Sequence, residues 1–219
     1  MIGGDCVCDL DLSQLIRFHR ERGAQATLGL YRHDSPLEYG LVLTDREGRV
    51  ERFVEKPGWG QVFTDQINTG IYVLSPAAME RVPQDVPWDF GKDLFPALLR
   101  EGAPLYGLPL AGYWRDMGDC RAYLDCACDI LSGKVALDMG LTKREGGIWS
   151  AAPLPAGIHL VPPCWIGEGA HLGQGCLIGP HTILEKGARV GERAMVQRSI
   201  LLENASAGDR TTLYGAILC

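Results

Sequence analysis

No stretch of this sequence approaches the roughly 18 consecutive apolar residues of a membrane-crossing helix. The opening residues, Met1-Ile2-Gly3-Gly4-Asp5, lack the basic region and apolar core of a secretory leader. No C-x-x-C pair occurs among the cysteines at 6, 8, 120, 126, 128, 164, 176 and 219, and no Cys/His spacing fits a zinc site. They are expected to be reduced thiols in a cytoplasm, filling small apolar spaces. Positive charge is also scarce, with 21 Lys and Arg against 27 Asp and Glu, a net charge of −6, and no basic stripe. That pattern argues against a nucleic-acid partner. What remains is globular in character: 219 residues, 46% apolar and 22% charged, enough for one large domain or two small ones.

The first half alternates helix and strand patterns. Leu12, Leu15, Ile16 and His19 recur at helical spacing, with Ser13 near the start and Gly23 past the end. Residues 26–32, 39–44, 49–54, 70–74 and 105–110 read as strands. The turn Asp45-Arg46-Glu47-Gly48 makes the second and third a hairpin. A helix is expected over 92–100, starting late or kinking because of Pro96. Another is expected over 119–131 with Asp119 as its cap. Such alternation predicts an α/β sheet.

The second half has a period of six. Leu154, Leu160, Ile166, Leu172, Ile178, Leu184, Val190, Val196 and Leu202 follow one another at that interval. Gly follows at 167, 173, 179 and 191. Four places after the aliphatic residue stands a small one: Cys164, Ala170, Cys176, Thr182, Ala188, Ala194 and Ser206. A triangular parallel β-helix gives this period, one hexad to each face, with the aliphatic side chain inward and the small one at the corner. About three coils are expected, with open coil ends that suit a homo-oligomer. Residues 133–147 carry no periodicity and read as a linker between an α/β domain at 1–132 and a β-helix at 148–219.

Five motifs stand in order along the first half: Gly4-Asp5, Glu38-Tyr39-Gly40, Val54-Glu55-Lys56-Pro57, Asn68-Thr69-Gly70 and Tyr113-Trp114-Arg115-Asp116-Met117-Gly118. With the hexapeptide region, they make the chain resemble the sugar-1-phosphate nucleotidyltransferases. Trp88 to Pro96 and Gly112 to Gly118 suggest the mannose-1-phosphate guanylyltransferase branch. The fold implied is the later part of a Rossmann-like nucleotidyltransferase domain followed by a left-handed β-helix. The activity implied is nucleotidyl transfer from a nucleoside triphosphate to a sugar-1-phosphate, giving an NDP-sugar and pyrophosphate.

Such chemistry gathers several negative charges, so Mg²⁺ is the implied cofactor, and the resemblance makes Asp5 and Asp116 its carboxylate ligands. Taken alone, an Asp after a strand is a turn former or a helix cap. Glu55 can accept bonds from two sugar hydroxyls, and Lys56, also a catalytic candidate, can reach the sugar phosphate. The resemblance adds Asn68, Thr69, Gly70 and the Gly40 backbone to the substrate contacts. Tyr39, Tyr113 and Trp114 are expected in the core. His19 is expected on the buried edge of the first helix, and His171 and His181 as solvated surface side chains, which argues against a histidine-dependent acyltransferase.

The sequence departs from the family at its start, where it has no glycine-rich loop with Arg and Pro-Lys. The parent protein is expected to be an enzyme, and this chain alone to have little or no turnover. Mannose-1-phosphate with GTP leads, and glucose-1-phosphate with another triphosphate follows. The other class is a non-catalytic regulatory subunit or NDP-sugar-binding module.

Overall fold

A computed structural model describes residues 1–140 and 142–219, with the backbone alone for 142–145. Position 141, inside the expected linker, lies outside the described residues. The chain divides into two compact units, Met1–Trp114 and Arg115–Cys219.

In the first unit, β1 (Cys6–Cys8) leads into α1 (Leu12–Glu21), then β2 (Ala26–Arg32), β3 (Leu41–Thr44), β4 (Val50–Val54) and β5 (Gln66–Leu74). A single turn, α2 (Pro76–Met79), is followed by α3 (Phe95–Arg100) and β6 (Leu105–Pro109). Asp11, not Ser13, caps α1, accepting from the Ser13 and Gln14 amides. The helix buries Leu15 and ends before Gly23 at φ +54. His19 meets Thr27 Oγ1 at 2.9 Å from the buried side of the helix, and burial and Arg20 lower its pKa. Among the described residues, β2 to β6 form one mixed sheet in the order β4-β3-β5-β2-β6. β2 is its most buried strand, antiparallel to β5 and parallel to β6. Ala26, Leu28 and Leu30 of β2 share a core with Leu94, Phe95 and Leu98. As expected, α3 starts late. A π-helical turn at Phe90–Leu94 precedes it, and Pro96 falls in its first turn, where the missing N–H has no helical partner to lose.

The strand read at 70–74 is only the second half of β5, which includes Asn68-Thr69-Gly70. The polar motif looks like a loop, but its buried hydroxyl is satisfied inside the sheet. Thr69 Oγ1 donates to the Gly29 carbonyl at 2.7 Å and accepts from the Ile71 amide at 3.3 Å. The β2–β5 register shifts between Leu28 and Leu30 at this point.

The second unit begins inside β7 (Trp114–Asp116) and continues as α4 (Cys120–Leu131). As expected, Asp119 caps α4, accepting from the Ala122 amide at 2.6 Å. Beyond it runs a parallel β-solenoid. One face stacks Ile148–Ser150, Cys164–Ile166, Thr182–Leu184, Ile200–Leu201 and Ile217–Leu218. The other two faces hold four strands and three. Among the described residues this makes about four turns rather than the three expected. The added strands are Ile148–Ser150 before the hexads and Ser206–Ala207, Thr212–Tyr214 and Ile217–Leu218 after them. Ile148 stands opposite Cys164, sixteen positions on, so a search for hexads passes over it. Val135 of the expected linker is buried as well.

The coil length then changes. Cys164 stands opposite Thr182, eighteen positions on, but Ile183 stands opposite Ile200, only seventeen on. The hexad pattern therefore slips by one after Val196. Leu201, not Leu202, points inward, and the buried small residue is Ala205, with Ser206 exposed. Cys164 and Cys176 fill corners of this core, and burial pushes the Cys164 thiol up to about 11. All eight cysteines are free thiols.

Ile183, Ile200 and Ile217 stack in register and, with Leu202, pack against Leu124 and Ala127 of α4. This apolar column places α4 in the second unit by packing, whereas the sequence reading drew the boundary after it. Among the described residues, no helix is long and apolar enough to cross a membrane.

Ile200 is 1% exposed. Its truncation to Ala should destabilise the second unit by about 2–4 kcal/mol through lost burial and a cavity beneath α4. Tyr214, 72% exposed, should tolerate Ala within about 0.5 kcal/mol. Denaturant unfolding of the two variants checks both.

Candidate active site

The first unit carries the expected substrate residues on β5, just before β3 and just after β4. β4 ends at Val54, which delivers Glu55 half-buried. Its carboxylate lies where two glycines leave room. A Cβ added at Gly40 or at Gly91 would sit 2.6 Å from Glu55 Oε2. Any side chain at either position would push the carboxylate out. Burial raises the Glu55 pKa, and Asp89 raises it further, while Lys56 and Lys92 act in the opposite sense. A carboxylate left in this setting without a partner is costly. Hydroxyl donors arriving with a ligand would relieve that cost. Lys56 is exposed and holds φ at +44, a left-handed conformation that L side chains rarely adopt.

β5 supplies the floor. The Asn68 amide donates to the Gly40 carbonyl at 2.7 Å, joining two of the sequence motifs directly. Asn68 Nδ2 donates to Tyr72 Oη at 2.9 Å, and Asn68 Oδ1 accepts from the Gly70 amide at 3.2 Å. Burial pushes the Tyr72 phenol up to about 12, so it stays a neutral hydrogen-bonding group at neutral pH. Trp114 Nε1 donates to the Thr69 carbonyl at 3.2 Å, and the Gly3 amide to the Gly70 carbonyl at 3.1 Å. The start of the chain thus runs beside the N-T-G motif. Asp5 is exposed, and its Oδ1 lies 3.1 Å from where a Gly3 Cβ would be. Trp114 and Tyr39 pack against each other with ring centroids 5.5 Å apart, and Trp114 is buried as expected. Tyr113 is partly exposed, and its amide is held by Asp9 Oδ1 at 2.6 Å.

Asp116 belongs to the second unit and is partly exposed, with Gly118 beside its carboxylate. Among the described residues, no three His, Cys, Asp or Glu side chains come together as a metal site. Asp5 and Asp116 each offer a hard carboxylate. That suits Mg²⁺, which takes one or two carboxylates and completes its shell with water and phosphate oxygens.

Asp89, Gly91 and Lys92 were not singled out as site residues. Their stretch, Trp88 to Pro96, stood out in the sequence only for its resemblance to one branch of the family, with a helix expected from Lys92. The π-helical turn changes this. Asp89 Oδ1 caps it by accepting from the Lys92 amide at 2.9 Å, and the turn sets Gly91 against Glu55. The histidines also differ from expectation. His171 is exposed as read, but His181 is partly buried, with Nε2 2.9 Å from Ser132 Oγ.

The raised pKa carries a sign for stability. Glu55 is more readily protonated folded than unfolded, so its contribution is full below the ordinary value near 4.5 and is lost as pH rises through the folded pKa. Glu55→Gln should therefore melt at or above the parent temperature at pH 7.5 and lose that advantage by pH 4. Melting curves across that range check this.

A family model described as nucleotidyl transferase matches residues 1–133. A mannose-1-phosphate guanylyltransferase of Mycobacterium tuberculosis is 36% identical over 173 residues, covering 78% of this chain and 47% of the relative. A mannose-1-phosphate guanylyltransferase catalytic subunit beta of Drosophila pseudoobscura is 31% identical over 169 residues, covering 77% of this chain and 43% of the relative. A UTP–glucose-1-phosphate uridylyltransferase of Synechocystis is 36% identical over 134 residues, covering 60% and 34%. The chain spans less than half the length of these relatives. With its mixed sheet, ordered motifs and parallel solenoid, the chain belongs to the nucleotidyl transferase family.

Proposed function

We propose that this chain binds the sugar phosphate in an enzyme that makes an NDP-sugar from a sugar-1-phosphate and a nucleoside triphosphate, with mannose-1-phosphate and GTP as the pair. The observation that carries the reading is the Glu55 carboxylate, held between Gly40 and Gly91 and flanked by two lysines. A carboxylate accepts from paired sugar hydroxyls, and an adjacent ammonium meets a phosphate, so the site matches both ends of a sugar phosphate.

In the proposed reaction, a phosphate oxygen of the sugar phosphate forms a bond to the α-phosphorus of the triphosphate. The bond from that phosphorus to the bridging oxygen of the β-phosphate breaks, and pyrophosphate leaves with the electron pair. Glu55 and the backbone at Gly40 and Gly70 orient the sugar, and Asn68 is held for the same task by its bond to Tyr72. Lys56 holds the attacking phosphate. Asp5 and Asp116 are the residues proposed to hold Mg²⁺, which would neutralise charge on the phosphate oxygens. The mannose-1-phosphate relatives favour that sugar, and the Synechocystis relative keeps glucose-1-phosphate as the second reading. A cytoplasmic location is part of the same reading, supported by the free thiols, and so is a homo-oligomer.

Calorimetric titration of the chain with mannose-1-phosphate and glucose-1-phosphate, alongside pyrophosphate-release assays of the full-length parent protein pairing each with GTP or UTP, tests the proposal. Lys56→Ala should weaken sugar-phosphate binding roughly tenfold to a hundredfold, the range for a lost bond to a charged group. Turnover with one pair, lost in Asp116→Ala, would support the transferase and name its substrates. NDP-sugar binding without turnover from any pair would favour a regulatory module. Failure to bind either sugar phosphate would overturn the assignment of this site.

A further inference from the structure

The motif Tyr113-Trp114-Arg115-Asp116-Met117-Gly118 contains one charged residue that the proposed reaction leaves without a task. Arg115 follows the buried Trp114 and precedes Asp116. Its guanidinium turns towards α4, where Nη2 lies 3.0 Å from Asp129 Oδ2 and Nη1 3.9 Å from Asp125 Oδ2. Neither aspartate serves Arg115 alone. Arg198, from the solenoid, pairs with Asp125, and Lys134 Nζ donates to Asp129 Oδ1 at 2.6 Å. Five charged side chains therefore form one alternating chain from the solenoid to the residue beside Asp116.

These groups line a polar cavity of about 390 Å³ with Cys128, Ser132 and His181. Two other uses of the cavity fail on its chemistry. Ser132 and His181 are not an activated nucleophile and base, because Ser132 Oγ donates to the Cys128 carbonyl at 2.7 Å and so receives its bond from the ring N–H. An anion site is disfavoured because each of the three cations already faces a carboxylate.

The burial is graded. The Asp129 side chain is 10% exposed, Asp125 28%, Arg115 36% and Arg198 43%. The acids sit innermost and the cations close over them, where screening is weaker than at an open surface. The helix bearing both acids is fixed in turn by the apolar column of Ile183, Ile200 and Ile217. Arg198 enters the cluster from a backbone held at φ +45, and its amide donates to the Pro180 carbonyl at 2.8 Å. That residue lies in the segment where the coils shorten from eighteen positions to seventeen.

We propose that Arg115 is a positioning residue for Asp116, and that the solenoid, through Arg198, Asp125 and Asp129, sets where that carboxylate stands. The solenoid then helps to set the metal dependence of the enzyme. This rests on the metal-holding role proposed for Asp116. β7 is only three residues long, and the ion-pair chain ties Arg115 to α4 immediately before Asp116, holding the backbone that carries the carboxylate.

The test introduces Arg115→Ala, Arg115→Lys and Arg198→Ala into the full-length parent protein and compares them with it in the pyrophosphate-release assay, varying Mg²⁺. Binding of Mn²⁺ alone is followed separately by electron paramagnetic resonance. The two Ala variants should raise the Mg²⁺ concentration for half-maximal rate and weaken Mn²⁺ binding on the order of tenfold, the lower end for groups that orient a metal ligand. Their kcat at saturating Mg²⁺ should change little, and Arg115→Lys should recover part of the loss. A lower melting temperature with unchanged Mg²⁺ and Mn²⁺ dependence would overturn the proposal and leave a purely structural clasp. Asp116→Asn separates the two ideas. If it leaves turnover intact, the metal role itself is wrong. If it abolishes turnover while Arg198→Ala leaves the metal dependence unchanged, only the positioning role is wrong.

Discussion

The space allowed to one carboxylate is among the tightest constraints in the first unit. Glu55 leaves β4 into a gap with room for its oxygens only while residues 40 and 91 carry no side chain. Gly40 is fixed by accepting from the Asn68 amide, and Gly91 by a π-helical turn that Asp89 caps. A hairpin, the central strand and a turn distant in sequence therefore all converge on a single half-buried acid. The fold bears the cost of desolvating that acid, and bound hydroxyls are the natural compensation. Other parts of the sheet pack apolar against apolar and would accept substitutions of similar volume.

Much of this was legible in the sequence. The span of β2 follows from its run of apolar residues, and the cap on α4 from Asp119. The substrate motifs could be listed in order, but their meeting could not be read off. It depends on β5 being one long strand, and Asn68-Thr69-Gly70 resembles a loop to any rule based on polarity. The sheet absorbs Thr69 because its hydroxyl finds two backbone partners, a tertiary fact. Gly91 stayed hidden for a similar reason. A glycine before a helix usually marks a turn, and its use as room for a side chain 36 positions away appears only in three dimensions.

The solenoid shows both the strength and the weakness of periodicity. Eight hexads from Leu154 to Val196 were read in register, and burial agrees for the inward residues from Ile166 to Val196 apart from the partly exposed Leu172. Counting onward in sixes then gave Leu202 for Leu201 and Ser206 for Ala205. Backbone pairing between coils does not require equal coil lengths. It requires only that each strand lie over its neighbour, and a corner can lose a residue without disturbing the ladder. The residue displaced by this slip, Leu202, packs outward beside α4.

The division of labour around α4 bears on how such proteins are assembled from parts. The region matched by the family model ends at 133, after this helix, whereas packing divides the chain at Trp114 and Arg115. A recombination junction placed at the end of the matched region would carry the helix away from its apolar column and leave Leu124 and Ala127 facing water. A junction one strand earlier would keep the helix with its solenoid, but would separate Asp116 from the motifs that precede it. Neither cut leaves both halves whole, so exchange of solenoids between relatives should be tolerated only when the donor's helix travels with its own coils.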